Sequence, residues 1–219
     1  MKLPLKIFFS GADCYHRYSE LSKHVHPKET VLDVGGGPGI ISQFLDNDIT
    51  ILDINKEELE TSKSLGLKTI YADINDNSLK DNSYDVVVSV DTLEHIPANK
   101  RSSFLKELNR IAKKKLIIIA PMGNLKYDKI LYKFKKLLGK KDRWTKEHLE
   151  NGLPQTKDLK KQFPAAKITP TRNAYIWLTI MFLQSVPLLN RFLPGIVYII
   201  LKPFNRFKPF NAYMLILEK

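Results

Sequence analysis

The segment Val31–Gly39 constrains the fold of this chain more than any other part of the sequence. It reads VLDVGGGPG, so an apolar, β-branched run is followed at once by four glycines and a proline. This pattern predicts a buried strand over Thr30–Val34, a tight turn, and a helix over Ile40–Leu45. Glycines let a backbone bend sharply and let a ligand approach without interference from Cβ atoms, and the N–H groups of the following helix can bind that ligand.

The same strand-to-helix alternation continues through the first half of the chain. Continuous apolar strands that alternate with helices predict a parallel sheet covered on both faces. A hydrophobic fraction of 43% supplies the core of such a sheet and excludes a disordered chain. The further predicted strands are Thr50–Ile54, Thr69–Asp73, Tyr84–Val90 and Lys115–Ala120, and the further predicted helices are Tyr15–His26, Glu57–Leu65 and Lys100–Ala112.

Two common nucleotide-binding patterns do not fit the glycine turn. The dinucleotide fingerprint G-x-G-x-x-G needs a third glycine where this chain has Ile40 or Ser42, depending on the register. A P-loop needs Gly-Lys-Ser/Thr, which the sequence lacks. Nicotinamide dinucleotides and nucleoside triphosphates are therefore disfavoured as ligands.

The spacing of Asp33 and the glycines resembles motif I of the class I S-adenosylmethionine (SAM) dependent methyltransferases, Asp-x-Gly-x-Gly-x-Gly. Ser83–Pro97 looks like the fourth strand and following loop of the small-molecule branch of that family. Leu116–Pro121 with Met122–Asn124 looks like its fifth strand and substrate-side loop. The resemblance covers about residues 25–125. It implies an α/β fold: a Rossmann-like, doubly wound, seven-stranded, mostly parallel sheet with an antiparallel last strand.

The resemblance also implies SAM as the cofactor and a set of residues that bind it. Asp53 would accept hydrogen bonds from the ribose hydroxyls, Ile54 would pack on the adenine face, and Asp73 would lie near the adenine amino group. Asp33 would support the glycine turn through hydrogen bonds to backbone N–H groups, next to the methionine end of the cofactor. The cofactor-binding candidates are Asp33, Gly35, Gly37, Gly39, Asp53, Ile54, Asp73 and Val90.

Candidate general bases lie in the loop after the fourth strand. Asp91 and His95 are the catalytic candidates, because a histidine titrates near neutral pH and both residues follow the strand whose end faces the ligand crevice. His148 is a second candidate, on a loop that folds over the site, whereas Glu94 is expected to face solvent or cap the next helix. A surface or helix-start role remains the alternative for the histidines. His16, His24 and His26 receive no catalytic role, and the spacing of histidines, cysteines and carboxylates predicts no metal site.

The second half of the chain is strongly basic. Residues 1–100 carry a net charge of −6 and residues 101–219 a net charge of +18, within a total of +12. Lys126–Leu138 is predicted as a basic amphipathic helix, which either lies on an anionic membrane surface or packs on the domain with a solvated lysine face. We expect one methyltransferase domain over 1–219, with a basic helix and loop region at 126–165.

Residues 174–208 are predicted as an apolar helical insertion between the sixth and seventh strands, near 167–169 and 213–217. Two helices are expected, broken at Pro187 and Pro194. The stretch is too interrupted to span a membrane, which needs about 20 apolar residues. A lid over the acceptor, a homodimer interface and a monotopic membrane anchor all remain open.

The sequence therefore predicts SAM-dependent methyl transfer to a small or lipid-like acceptor. A nucleic-acid methyltransferase is the first alternative, although the amino-directed DNA enzymes have prolines where this chain reads SVDT at Ser89–Thr92. A non-catalytic scaffold with the same fold is the second. The single cysteine, Cys14, and the absence of a secretory signal in Met1–Ser10 favour the cytoplasm, with peripheral contact to the inner face of the membrane as an extension.

Overall fold

A seven-stranded mixed sheet forms the centre of the molecule in the computed structural model, which describes Ile7, residues 11–190 and residues 192–219. Apart from Ile7, the Met1–Ser10 segment lies outside the described residues, and the expectation about a secretory signal falls there. The strands are β1 (Thr30–Val34), β2 (Asp48–Asp53), β3 (Lys68–Tyr71), β4 (Tyr84–Val90), β5 (Ala112–Pro121), β6 (Lys167–Asn173) and β7 (Phe210–Glu218). Their order across the sheet is β3-β2-β1-β4-β5-β7-β6.

The first five strands are parallel, as their apolar character predicts. β1 pairs with β2 on one side and β4 on the other, so the direction of winding reverses between β1 and β4. Open α/β sheets bind ligands at such a switch point, outside the carboxyl ends of the strands. The α-helices are α1 (Ala12–Leu21), α2 (Lys56–Ser64), α3 (Arg101–Ile111), α4 (Lys126–Leu137), α5 (Arg143–Asn151), α6 (Thr156–Gln162), α7 (Ala174–Ser185) and α8 (Leu193–Leu201).

β7 runs antiparallel to both of its neighbours, β5 and β6. The predicted fold class is thereby confirmed: an α/β, Rossmann-like, seven-stranded and mostly parallel sheet with an antiparallel last strand. Buried apolar side chains form one core on each face of the sheet, including Val87 and Phe104 on one face and Val86 and Ile51 on the other. Between β6 and β7 the chain forms α7, α8 and the 3₁₀ helix Lys202–Arg206.

Three elements differ from the sequence expectation. The segment after the glycine turn is only a 3₁₀ helix, Ile40–Gln43. Residues 142–165, expected to be loop-rich with one short helix, form both α5 and α6. Pro194 does not break the apolar insertion but lies in the first turn of α8, where the missing N–H would have had no helical partner.

The apolar face of α4 packs against the protein only in part, because Ile130, Leu137 and Leu138 are 39%, 85% and 42% exposed. Tyr127 and Leu131 are buried, and the Phe134 ring lies 4.3 Å from the Phe182 ring of α7. The buried part of this face matches the alternative of a helix packed on the domain with a solvated lysine face, and the membrane contact expected of the helix stays a prediction.

His16 joins α1 to the insertion. Its Nδ1 accepts a hydrogen bond from the Tyr198 hydroxyl of α8 at 2.7 Å, and its Nε2 donates to the Thr171 carbonyl of β6 at 2.9 Å. Burial, followed by the nearby charge of Arg172, lowers the pKa of His16 to about 4, so the ring is neutral at physiological pH. No helix in the described part of the chain is long and apolar enough to cross a membrane.

Candidate active site

The glycine turn between β1 and the 3₁₀ helix has a backbone that other residues rarely adopt. Gly35, Gly37 and Gly39 have φ values of +73°, +50° and +74°. A Cβ atom at Gly35 would lie 2.4 Å from the Thr92 side chain, and one at Gly37 would lie 2.4 Å from Glu58 Oε2. The turn therefore requires glycine both for its conformation and for the close approach of its neighbours.

Asp53, at the end of β2, holds this turn in place. Its Oδ2 accepts a hydrogen bond from Gly37 N at 2.9 Å, and its Oδ1 accepts one from Asn55 N at 2.8 Å. Ser62 Oγ of α2 donates to the Gly37 carbonyl at 2.7 Å from the other side. Each carboxylate oxygen has a second lone pair, so Asp53 retains capacity for hydroxyl donors of a ligand.

Asp33 is fully buried, but it makes none of the backbone hydrogen bonds that the sequence led us to expect. Neither of its carboxylate oxygens has a hydrogen-bond partner among the described residues. Burial, helped by the negative charge of Asp53, raises the pKa of Asp33 to about 7. The expected supporting role is therefore wrong in its detail: Asp53 braces the turn, and Asp33 presents an uncompensated carboxyl group at the end of β1.

The other cofactor-binding candidates also lie at the carboxyl ends of strands. Ile54 follows β2 and is 69% exposed, which leaves an apolar surface open beside Asp53. Asp73 follows β3, is exposed, and accepts a hydrogen bond from Asn75 N at 2.8 Å. Val90 is buried at the end of β4. The structure thus brings the candidates from β1, β2 and β4 to one edge of the sheet and leaves Asp73 at its periphery.

A cavity of about 280 Å³ lies beyond the carboxyl ends of β4 and β5. Thr92, which touches the glycine turn, directly follows the cavity residue Asp91, so the cavity adjoins the turn. Its walls come from α1, the segment after β4, α4, α5, β6 and α7. The residues that line it include Asp13, Arg17, Asp91, Glu94, His95, His148, Arg172, Trp177 and Met181.

Asp91 belongs to an ionic network rather than standing free as a base. Its carboxylate contacts Arg17 Nη1, which also lies 2.8 Å from Asp13 Oδ2. Asp13 in turn pairs with Arg172 at 2.6 Å. Burial acts to raise the pKa of Asp13, but the charges of Arg17 and Arg172 outweigh it and lower that pKa to about 2. Asp13 therefore stays ionised and paired.

The structure brings His95 and His148 together, with ring centres 5.0 Å apart, although 53 positions separate them in the sequence. His95 Nδ1 donates to Glu147 Oε2 at 2.8 Å, and burial together with the neighbouring His148 lowers the pKa of His95. His148 lies on helix α5 and not on the expected loop, and its Nδ1 donates to Asp128 Oδ1 at 2.7 Å.

Glu94 does not face solvent and caps no helix, contrary to expectation. Its side chain is 1% exposed and points at the cavity, with Oε1 3.9 Å from Nε2 of both His95 and His148. Burial, followed by the charge of Asp91, raises the pKa of Glu94 well above its usual range.

Several cavity residues escaped the sequence analysis. Arg17, Arg172 and Trp177 lie in segments with no recognisable motif, and only the fold brings them to the cavity. Asp128, which contacts the cavity residue His148, could have been found from the sequence. It lies three residues before Leu131, on the buried face of an otherwise basic helix, where an acid is unexpected. A buried acid needs a partner, and that partner is His148.

One protein family matches the part of the chain that carries the glycine turn. The methyltransferase domain family matches residues 32–120, which span β1 to β5 and include the glycine turn, Asp53 and the segment after β4. None of the curated protein sequences compared with this chain matches it.

Solved structures share the fold over nearly the whole chain. A SAM-dependent methyltransferase from Archaeoglobus fulgidus is 17% identical over 97% of this chain and 94% of its own, with a TM-score of 0.57. Geranyl diphosphate methyltransferase, solved with SAM, is 11% identical over 92% and 84%, with a TM-score of 0.58. The [4+2]-cyclase SpnF is 12% identical over 94% and 81%, with a TM-score of 0.63.

The family match over residues 32–120 and the fold together support a class I SAM-dependent methyltransferase, with SAM as the cofactor that they indicate. The residues present fit that cofactor. Three acids, Asp33, Asp53 and Glu58, lie around the glycine turn, and Asp33 has no cationic or hydrogen-bonding partner of its own among the described residues. A ligand that carries an ammonium group, a sulfonium group and ribose hydroxyls complements such a set.

Proposed function

We propose that this enzyme methylates a small acceptor that binds in the cavity beyond β4 and β5. The observation that carries the proposal is the position of that cavity, which adjoins the glycine turn through Thr92 and Asp91. Its volume of about 280 Å³ is near the lower end for small-molecule sites, so the cavity suits a single compact group better than a polymer segment.

The cofactor would be held by the residues that the family resemblance implies. Asp33, Asp53 and the glycines Gly35, Gly37 and Gly39 would bind it, with Ile54 and Val90 packed along its apolar parts and Asp73 at the rim. When bound, SAM supplies a methyl group on a sulfonium sulfur that is already activated for transfer. The chain's own residues need to align the acceptor, exclude water and remove a proton where the acceptor has one.

Of the two catalytic candidates, His95 is better placed than Asp91 to remove a proton from the acceptor. Its lowered pKa keeps the ring neutral near pH 7, and Nε2 faces the cavity while Nδ1 is held by Glu147. Asp91 is paired with Arg17, so we assign it to positioning that guanidinium in the cavity wall.

The activity can be tested without knowing the acceptor. Purified protein, methyl-labelled SAM and fractionated cell extract should give label in one fraction, and the comparison of lipid and aqueous fractions gives the acceptor class. Asp53→Ala, which would lose the cofactor, serves as the control. If no fraction gains label while SAM binds, the chain is a SAM-fold protein without methyl transfer, and the cyclase SpnF shows that related folds do other chemistry.

We also propose that the apolar insertion docks on an anionic membrane surface, which would give access to a lipid-like acceptor. Large apolar side chains are exposed along it, with Leu188, Ile200 and Phe204 at 95%, 65% and 54%. Lys202 and Arg206 lie in the 3₁₀ helix directly after α8. Exposed apolar surface flanked by basic residues is typical of interfacial binding.

Liposome co-sedimentation tests this second proposal. The intact protein should pellet with anionic vesicles at low salt and less with neutral ones, and Leu188→Ser with Ile200→Ser should reduce the bound fraction. Leu65→Ser, which alters an exposed leucine at the end of α2, should leave it unchanged. A protein that stays in the supernatant and sediments as a dimer would instead make the insertion a subunit interface.

A further inference from the structure

Glu94, His95 and His148 bring three potential metal ligands together in the wall of the acceptor cavity. One ligand atom of each side chain lies within 4.8 Å of the other two. Glu94 Oε1 is 3.9 Å from each histidine Nε2. Ligand atoms lie about 2.0–2.2 Å from a zinc-like ion, so a cation between these three atoms would reach all of them with small side-chain movements.

Each histidine is already oriented by a carboxylate behind it. Glu147 holds Nδ1 of His95, and Asp128 holds Nδ1 of His148, at 2.8 and 2.7 Å. With the proton on Nδ1, assigned from these hydrogen bonds, each neutral ring carries its lone pair on Nε2, the atom that faces Glu94. Metal-binding histidines almost always have such a partner on the other ring nitrogen.

With Glu94 ionised, the atoms that face each other are all acceptors. Neither Glu94 Oε2 nor His148 Nε2 has a hydrogen-bond partner among the described residues, and Glu94 is almost fully buried. Buried polar atoms without partners cost free energy, and a buried carboxylate costs more. A bound cation would compensate the carboxylate and both lone pairs at once.

The backbone that carries these ligands is held firmly. The Arg101 guanidinium donates to the carbonyls of Ile96, at 2.9 Å, and Asn151, at 3.2 Å. Asn151 Nδ2 donates back to the His95 carbonyl at 3.0 Å. These bonds tie the segment after β4, which bears Glu94 and His95, to the end of α5, which bears His148, so the ligand set is preorganised.

We propose that Glu94, His95 and His148 bind a divalent transition-metal ion of the Zn²⁺, Mn²⁺ or Fe²⁺ class. Two imidazoles and one carboxylate are a ligand set that such ions use in proteins, and the set leaves coordination positions open. All three side chains line the cavity, so an acceptor bound there would be near such a position. The sequence expectation of no metal considered spacing along the chain, whereas Glu94 and His95 lie in the segment after β4 and the third ligand, His148, lies on helix α5.

The metal would also narrow the acceptor class, and this part rests on the proposed methyl transfer. A hydroxyl or enol oxygen that enters an open coordination position loses its proton to solvent more readily, because the cation stabilises the oxyanion. The site therefore favours an oxygen acceptor over an amine. His95, as a ligand, would then orient the acceptor through the metal rather than remove its proton directly.

Metal titration of the full, tag-free chain tests the site. Calorimetry with Zn²⁺ should show one equivalent bound with a Kd in the micromolar range or below, and Co²⁺ should give visible absorption bands upon binding. His148→Ala and Glu94→Gln should each weaken Zn²⁺ at least about 100-fold. Asp128→Asn should weaken it about 10–100-fold through loss of the supporting carboxylate. His26→Ala, at an exposed histidine away from the cavity, should bind as the wild type does.

Two results would overturn the proposal. One is a wild-type chain that binds SAM but does not bind Zn²⁺ or Co²⁺ below millimolar concentration. The other is unchanged affinity in folded His148→Ala. Should both ligand variants fail to fold, anomalous scattering at the zinc edge from soaked wild-type crystals decides: a peak among Glu94, His95 and His148 supports the site, and a peak elsewhere or none rejects it. SAM binding, measured separately, shows whether the proposed function stands on its own.

Discussion

The glycine-turn region, where we propose that the cofactor binds, and the cavity beyond β4 and β5, where we propose that the acceptor binds, are built in different ways. We call them the cofactor side and the acceptor side. On the cofactor side, Asp33, the glycines and Asp53 follow their strands within a short stretch of sequence, and each residue lies where its strand ends. On the acceptor side, the cavity walls come from elements as distant as α1 and α7. The first arrangement is encoded locally, and the second exists only once the chain has folded.

The two sides also differ in how they treat charge. Of the acids on the acceptor side, Asp91 is paired with Arg17 and Asp13 with Arg172, whereas Glu94 is buried beside two histidines and has one carboxyl oxygen without a partner among the described residues. Asp33 on the cofactor side is buried without a partner among the described residues, and its pKa is raised to about 7. A ligand with positive charge can compensate Asp33, so the cofactor side is completed by its ligand, whereas the acceptor-side ion pairs are complete in themselves.

Asp53→Ala should give the largest effect on the cofactor side. The change removes the brace on Gly37 and the proposed acceptor for the ribose hydroxyls, so we expect SAM to bind about 100-fold more weakly, toward the upper end of about 1.5–3 kcal/mol for charge-assisted hydrogen bonds. Calorimetry measures this loss. Asp48→Ala, at the opposite end of the same strand, is the matched control and should leave the Kd unchanged. Equal affinities in the two variants would mean that Asp53 is only a turn residue.

Asp33→Asn should weaken SAM and stabilise the cofactor-free protein. Loss of the carboxylate should cost about 20-fold in affinity, near the lower end of the same range. The pKa of Asp33 is about 7 in the folded protein, whereas the ordinary pKa of an aspartate is 3.8. The stability of the folded protein therefore falls as the pH rises from the lower value to the higher one. The variant should therefore have a higher Tm than the wild type at pH 8 and a similar Tm at pH 4. A lower Tm at pH 8 would contradict the buried charge.

The affinity of the wild type for SAM should rise about tenfold between pH 6 and pH 8. Below pH 7 the Asp33 carboxyl is mostly protonated in the free protein, and a cationic ligand must first displace that proton. Calorimetry across this range, in buffers of different ionisation enthalpy, should also detect the released proton. Asp33→Asn should show a flat profile, and an equally steep profile in that variant would assign the titration to another group.

Trp177→Ala should separate the two sides, with less than a twofold effect on SAM affinity. Trp177 lines the acceptor cavity and packs against Arg172, whose guanidinium carbon is 5.2 Å from the ring centre. We expect methyl incorporation from extract to fall while the SAM Kd stays constant. Tyr175→Ala, an exposed aromatic on the same helix, provides the comparison. A large change in SAM affinity would show that the two sides are coupled.

The sequence predicts the parallel strands and the glycine turn well because their signals are local. Apolar strands and the glycine turn determine the sheet, and the strand-end acids follow from it. The sequence analysis expected Asp33 to hold the glycine turn, whereas Asp53 does. The hydrogen bond from Gly37 N to Asp53 joins the turn after β1 to the end of β2, and no local pattern reveals it. The sequence analysis also misplaced Glu94, because a single polar residue after a strand does not reveal which way it points. The burial of Glu94 depends on α5, whose packing no local pattern records.

The position of β7 has a consequence for synthesis of the chain. β6 pairs with the sheet only through β7, and β7 follows β6 by way of the whole apolar insertion. During translation, β6, α7 and α8 must therefore wait outside the sheet until β7 emerges and joins β5. The wall that α7 contributes to the acceptor cavity would therefore form last. A ribosome-bound intermediate would then expose apolar helices beside an already formed cofactor turn, and such an intermediate is a natural client for chaperones.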